Sequence, residues 1–263
     1  MITQLIENVD RRILGAFVCV DAITGNSVVP AIPVTAPQWT VKPNRNGIYV
    51  IFDGPGFDLE TGEFIPTGTW PPPVTFEVSL QDPSLRYLPR RVNVQAPLAV
   101  PDYPPVPTPL TPPTGVFAPQ QVAVYPSPAG AIGPNWASIH ASVTLAGSTP
   151  PKGLPWAVLQ VVQNSNNAVL ATGQADLNGE ALLAVVGLTV QANTGGSGPV
   201  TVSTVAATVT AYFDPSVLSQ PTGWIPNPDD ILTSLPNPAL KSSSQAVQLT
   251  SGQEIAMNFA ITV

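Results

Sequence analysis

Residues able to do chemistry are few in this chain. It has one histidine, His140, and one cysteine, Cys19. A Ser-His-Asp triad would have to use His140. That residue sits in the alternating run Ser138-Ile139-His140-Ala141-Ser142-Val143, and no nucleophile-elbow sequence accompanies it. It reads as a packed or surface histidine of a strand. A lone histidine and a lone cysteine supply too few of the usual zinc ligands. Cys19 lies in Phe17-Val18-Cys19-Val20, a strand-forming run, so a buried, inert thiol is expected. A reactive thiol would need a nearby base or helix N-terminus. One cysteine also excludes a disulfide within the chain.

Asp53, Asp58, Glu60 and Glu63 form an acidic cluster in loop sequence. Such carboxylates can ligate Ca²⁺ or work in pairs on a glycosidic bond. Calcium-loop spacing is missing, so solvated loop acids are the expectation. Asp176-Leu177-Asn178 resembles only the start of a calcium loop, and turn chemistry explains it better. Asp229-Asp230 lies in a Pro-rich stretch and is expected to cap the turn at Ile231-Leu232. Five tryptophans, Trp39, Trp70, Trp136, Trp156 and Trp224, fall near loops and strand ends. They are candidate interface anchors or core plugs. A sugar-binding face is the other reading, but acids and amides are not clustered beside them in the sequence. No catalytic, cofactor-binding or metal-binding residue is assigned, and no cofactor is expected.

Composition narrows the partners. Charged residues make up 10% of the 263, against roughly 25% in an average soluble protein. Apolar residues reach 44%, so the chain can build cores and does not have the composition of a disordered segment. A surface with so little charge must expose neutral groups or cover itself with partners. Net charge is −7, and residues 101–263 hold only two basic side chains, Lys152 and Lys241. Two lysines build no phosphate-gripping patch, so neither nucleic acid nor an anionic membrane is an expected partner of that half. No run has the length of a membrane span, and no basic region followed by an apolar one opens the chain. Synthesis in the cytoplasm without a signal peptide is the resulting expectation.

The 33 prolines and 20 glycines argue against a helical bundle and for short strands joined by many turns. The pattern predicts an arm at 1–12, a first β domain at 13–96, a Pro-rich linker at 97–136 and a second β domain at 137–263. In the first domain, strands are expected at 13–21, 34–41, 48–52, 74–80 and 91–94. Val74, Phe76, Val78 and Leu80 should share one face. Asn46-Gly47 suggests a type I′ turn. The linker should be polyproline-like, and Val122, Val124 and Tyr125 could add an edge strand to either domain. In the second domain, strands are expected at 138–145, 157–162, 168–175, 180–186, 201–213, 246–249 and 255–261. A long loop should run from Asp214 to Leu240. Strands at this spacing indicate sandwiches. The halves also rhyme: Asn46-Gly47-Ile48-Tyr49 and Asn178-Gly179-Glu180-Ala181 each place a glycine just before a strand.

Asp21-Ala22-Ile23-Thr24-Gly25, followed by Asn46-Gly47-Ile48-Tyr49-Val50, resembles the pattern of transthyretin-like and carboxypeptidase-regulatory-like domains. Asp176-Leu177-Asn178-Gly179-Glu180 resembles the corresponding turn in the second half. The resemblance implies an all-β protein of two immunoglobulin-like or transthyretin-like sandwiches, used for adhesion, spacing and docking. The tandem arrangement, with the run Ala175 to Val185 and the low charge, also looks like accessory structural proteins of phage tails and contractile injection systems. That implies a non-enzymatic subunit, partnered by other subunits of a large assembly and by copies of itself. A carbohydrate-binding or adhesin-type module is the alternative.

Overall fold

A computed structural model describes residues 13–55, 73–96, 119–188, 190–191, 201–202, 204–221 and 223–263. The expected arm at 1–12, the first twenty-two residues of the expected linker, Trp70 and the acids Asp58, Glu60 and Glu63 lie outside them. The fold is all-β, of sandwich type, as the strand spacing predicts. Among the described residues no helix is long and apolar enough to cross a membrane. The chain gathers into two compact units. One holds the described parts of Met1–Cys19, Ser27–Leu80 and Val92–Val122; the other holds those of Val20–Asn26, Gln81–Arg91 and Ala123–Val263.

The strands that supply the first unit are β1 (Gly15–Asp21), β2 (Val34–Thr35), β3 (Thr40–Pro43), β4 (Ile48–Asp53), β5 (Val74–Leu80), β6 (Arg90–Ala96) and β7 (Gln120–Val124). They form two sheets, ordered β3-β4-β1-β7 and β2-β5-β6. Phe17 of β1 lies opposite Tyr49 of β4, and their rings stack at 4.6 Å. The Tyr49 hydroxyl donates to the Ile32 carbonyl at 2.6 Å, so its buried polar end is satisfied. Burial pushes this phenol's pKa far up, and the neighbouring Cys19 thiol adds to the effect. Cys19 is fully buried, as its strand context predicts. Phe76, Val78 and Leu80 of β5 are buried on one face, while Val74 at its start is 44% exposed.

The expected single strand at 34–41 is two strands in different sheets. Trp39 N–H donates to Ala36 carbonyl at 3.1 Å and Gln38 takes a φ of 67°. That turn lets β2 pair with β5 and β3 with β4. β7 begins inside the expected linker; its Val122 and Val124 are buried, and it forms an edge strand beside β1.

The second unit is built on β8 (Ala137–Leu145), β9 (Val158–Gln163), β10 (Val169–Gln174), β11 (Glu180–Val185), β12 (Val190–Gln191), β13 (Thr201–Val202), β14 (Thr204–Phe213), a 3-10 turn (Pro215–Ser219), helix α1 (Pro228–Thr233), β15 (Lys241–Thr250) and β16 (Glu254–Ile261). One sheet runs β10-β9-β14-β15 and the other β11-β8-β16, with β12 and β13 paired separately. β16 pairs with β8 in parallel; the other described pairings here are antiparallel. Between the sheets, Ile139, Val143, Leu159, Val161, Leu183, Val209, Phe213 and Phe259 pack with a run of alanines. Each large side chain buried this way contributes roughly 1.5–3 kcal/mol. β15 is six residues longer than the four expected. Its Ser/Gln-rich start carries no apolar alternation, yet all ten residues pair with β14.

Candidate interaction site

The turn motifs singled out in the sequence position much of the surface. Asn44 Oδ1 accepts from the N–H of Asn46 and of Ile48, at 2.9 and 3.0 Å. Asp176 Oδ1 accepts from the N–H of Asn178 and of Glu180, at 2.7 and 3.0 Å. In both turns the glycine N–H returns to the first residue's carbonyl, and the first N–H donates to the fifth residue's carbonyl. In these turns only Gly47 and Gly179 have positive φ, 78° and 82°. The loop is therefore a type I turn with a left-handed glycine, not the type I′ turn that Asn-Gly suggests. Asp176 spends its carboxylate on the turn. The Asp21 turn is one residue longer: Oδ1 accepts from the N–H of Ile23 and Thr24 at 2.9 and 2.8 Å, and Gly25 N–H returns to the Asp21 carbonyl.

Asp21 keeps its second oxygen for Tyr87, whose hydroxyl donates to Oδ2 at 2.8 Å. Burial, this hydrogen bond and the Asp21 charge push the Tyr87 phenol up to about 12. Tyr87 is presented by a knot around Asp82, which the sequence reading passed over. Asp82 is 6% exposed. Its carboxylate accepts from Ser84 Oγ at 2.6 Å and from the N–H groups of Ser84, Arg86 and Tyr87. Burial alone would raise its pKa; the hydrogen bonds outweigh that and hold it below the ordinary carboxylate value. The Asp-Pro-Ser sequence at 82–84 was the available signal.

Asp21, Ser84, Arg86 and Tyr87 line a cleft of about 580 Å³ within the second unit. Its lining also includes the exposed Leu85, Trp136 and the 126–131 loop. Arg86 is half exposed, 5.7 Å above the Tyr87 ring, with its Nε donating to Ser84 Oγ. Trp136 packs one ring face on Gly133, where a methyl group would stand 2.4 Å from the indole. The loop is seated by Ser127 N–H on Arg86 carbonyl at 2.8 Å and by Gly130 close to Leu182. The cleft offers an indole, a carboxylate and a guanidinium to a ligand. Two of its hydroxyls are held by carboxylates, Ser84 by Asp82 and Tyr87 by Asp21. A carboxylate with a depressed pKa is a weak base and activates a hydroxyl poorly.

The tryptophans have separate places. Trp39 stacks on Phe76 at 3.9 Å and covers Gly54. Trp156 is buried, with a φ of 63°. Trp224 is partly exposed, with the Arg91 guanidinium 4.9 Å from its ring centre. Of the described tryptophans, only Trp136 lines the cleft. Of the acidic cluster, Asp53 alone is described, and its carboxylate accepts from Gly54 N–H at 2.8 Å. His140 sits on β8 opposite Leu182 and Ala256; its Nε2 lies 3.2 Å from Glu254 Oε1, at an angle that makes no hydrogen bond. Asp229 and Asp230 occupy the first turn of α1, and the cap is Asn227 rather than either acid.

A second feature unread in the sequence is the Arg90-Arg91 pair. Arg90 is 1% exposed, and its guanidinium donates to the Ala123 carbonyl, Asn227 and Asp229. Arg91 Nε donates to the Ile225 carbonyl, and its N–H donates to the Pro226 carbonyl. Together they fasten the Pro-rich segment around α1. Two arginines among nine cations were the only trace in the sequence.

No family model matches the chain, and no curated protein matches it. Among solved structures, the Bacillus anthracis TIE protein aligns with 95% of this chain and 34% of its own, at 11% identity and a TM-score of 0.28. The chain thus spans about a third of that protein's length.

Proposed function

We propose that the chain is a non-enzymatic structural subunit of a phage-tail-like or contractile injection assembly, acting through protein–protein interfaces. The observation that carries this reading is a surface poor in charge and supplied with exposed apolar side chains. Charged residues are 10% of the sequence, while Leu85, Leu177, Val29 and Val169 are 54–75% exposed. Such a surface suits a molecule covered by neighbours. The resemblance of the tandem turn motifs to docking domains supports the same reading. Affinity purification of the tagged protein from the cells that encode it, with mass spectrometry and negative-stain imaging, tests it. Particles carrying sheath and tube proteins are the expected result. A chain that purifies without any such machinery overturns the reading.

The cleft favours a second reading, a carbohydrate-binding or adhesin-type module. Trp136, Asp21 and Arg86 bring together the aromatic and polar groups that the sequence left scattered. Sugars offer an apolar C–H face to an indole and hydroxyls to a carboxylate and a guanidinium. A glycan array probed with folded protein, alongside Trp136→Ala, decides it. Binding lost in the variant supports this reading, and an array with no binder removes it.

A further inference from the structure

We propose that β15 pairs, edge to edge and antiparallel, with β15 of a second copy of this chain. The proposal deepens the structural-subunit reading by naming a partner, although its argument comes from the strand itself. Among the described residues β15 ends its sheet, with β14 on one side only. Natural proteins blunt such edges with charges, prolines, bulges or short length. β15 has almost none of these devices: it runs ten residues without proline, pairs with β14 without a register shift, and confines its one charge, Lys241, to its first residue. The other end of the same sheet, β10, is six residues long and its register shifts between Val169 and Ala171. In the facing sheet, the Asn258 carbonyl of β16 is taken by the Gln245 side chain.

The occupant follows from the sequence of the strand. Ser243, Gln245, Val247 and Leu249 lie opposite Ala211, Val209, Ala207 and Val205 of β14, whose Ala207, Val209 and Ala211 belong to the core. Ser242, Ser244, Ala246 and Gln248 therefore face outward, and all four are exposed. A two-fold axis through Ala246 keeps both faces in register, as the pleat demands. It sets Ala246 opposite Ala246, Ser244 opposite Gln248 and Ser242 opposite Thr250 outside, and Gln245 opposite Val247 and Ser243 opposite Leu249 inside. Lys241 meets Ser251, so no like charges oppose each other. Such self-complementarity is what an isologous dimer requires, and main-chain hydrogen bonds supply the affinity.

Light scattering coupled to size exclusion, on the full chain over a concentration series, tests the pairing. Wild type should dimerise. Ala246→Lys and Ala246→Glu each put like charges across the axis and should weaken the dimer roughly tenfold or more. An equimolar mixture of the two should restore a mixed dimer. Ala246→Cys gives an independent reading: with Cys19 buried, oxidation should yield a disulfide-linked dimer. A monomeric wild type overturns the proposal. So does a dimer indifferent to both charges, or a mixture that stays monomeric while each variant keeps the wild-type melting curve. A monomer from preparations rich in tail-like particles sinks this pairing alone. A dimer with no particles sinks the subunit reading alone.

Discussion

The Arg90 guanidinium meets the Asp229 carboxylate at 2.7 Å, with the arginine 1% exposed and the aspartate 45%. Arg90 opens β6, and Asp229 lies in the first turn of α1, 139 residues later. Removing Asp229 leaves a buried cation with Asn227, the Ala123 and Arg91 carbonyls and the Tyr125 ring, 5.9 Å away. Asp229→Ala should therefore cost about 2–3 kcal/mol, below the range for a fully buried pair because the carboxylate is half solvated. Replacing both residues by apolar ones, Arg90→Met with Asp229→Leu, should recover part of that loss. Urea unfolding of these two variants beside the wild type measures it. A neutral Asp229→Ala would show that the ion pair does not hold α1 in place.

Gly25 and Gly179 separate conformational strain from steric clash. Both have positive φ, 70° and 82°, but a methyl on Gly25 meets nothing within 4 Å. A methyl on Gly179 would stand 2.3 Å from the Val143 carbonyl oxygen and 2.9 Å from Leu154 N. Gly25→Ala should cost about 1–2 kcal/mol, the penalty of the left-handed conformation alone. Gly179→Ala should cost clearly more, because two backbone segments must part. Thermal melts of the two variants compare them, and equal losses would mean that the Val143 and Leu154 backbones yield easily.

The alternating strands were legible because each buries one face: Val143, Val161 and Val209 mark β8, β9 and β14. The turns at Asp21 and Asp176 were legible because short polar side chains bond their own backbone. Three things were not. The 34–41 segment changes sheets at Gln38, a non-glycine residue with positive φ, and no local pattern announces that. The start of β15 is polar because it lies at an edge, so pairing rather than burial defines it. The cleft joins Asp21, Arg86, Tyr87 and Trp136 from segments far apart in the chain, and no spacing rule links them. Arg90 was missed for the same reason, since its partners come from residues 123, 227 and 229.

The Asp82 knot and the buried phenols give stability a pH dependence at both ends. Asp82 has a folded pKa below its unfolded value. Its contribution is present above the ordinary carboxylate pKa and is lost as pH falls through the folded one. Tyr87 and Tyr125 are raised to about 12, each chiefly by burial. Their contribution is present below the ordinary tyrosine pKa of 10.0 and is lost as pH rises toward about 12. Melting temperature against pH should thus fall at both extremes. Asp82→Asn should flatten the acid limb, and Tyr87→Phe should reduce the alkaline one. An acid limb unchanged in Asp82→Asn would place the titration elsewhere.

Gln174 closes β10 fully buried, and neither its amide oxygen nor its nitrogen finds a hydrogen-bond partner among the described residues. It lies opposite Val158 of β9, which is also fully buried. Desolvating an amide without returning its hydrogen bonds costs about 1–3 kcal/mol. An unbranched apolar side chain of similar length removes that cost while filling the same space. Gln174→Met should therefore raise the urea midpoint at unchanged slope. Gln174→Ala should lower it, because truncation leaves a cavity. Stability that falls in both variants would mean that the amide is satisfied in the folded protein and that this position was selected for its hydrogen bonds.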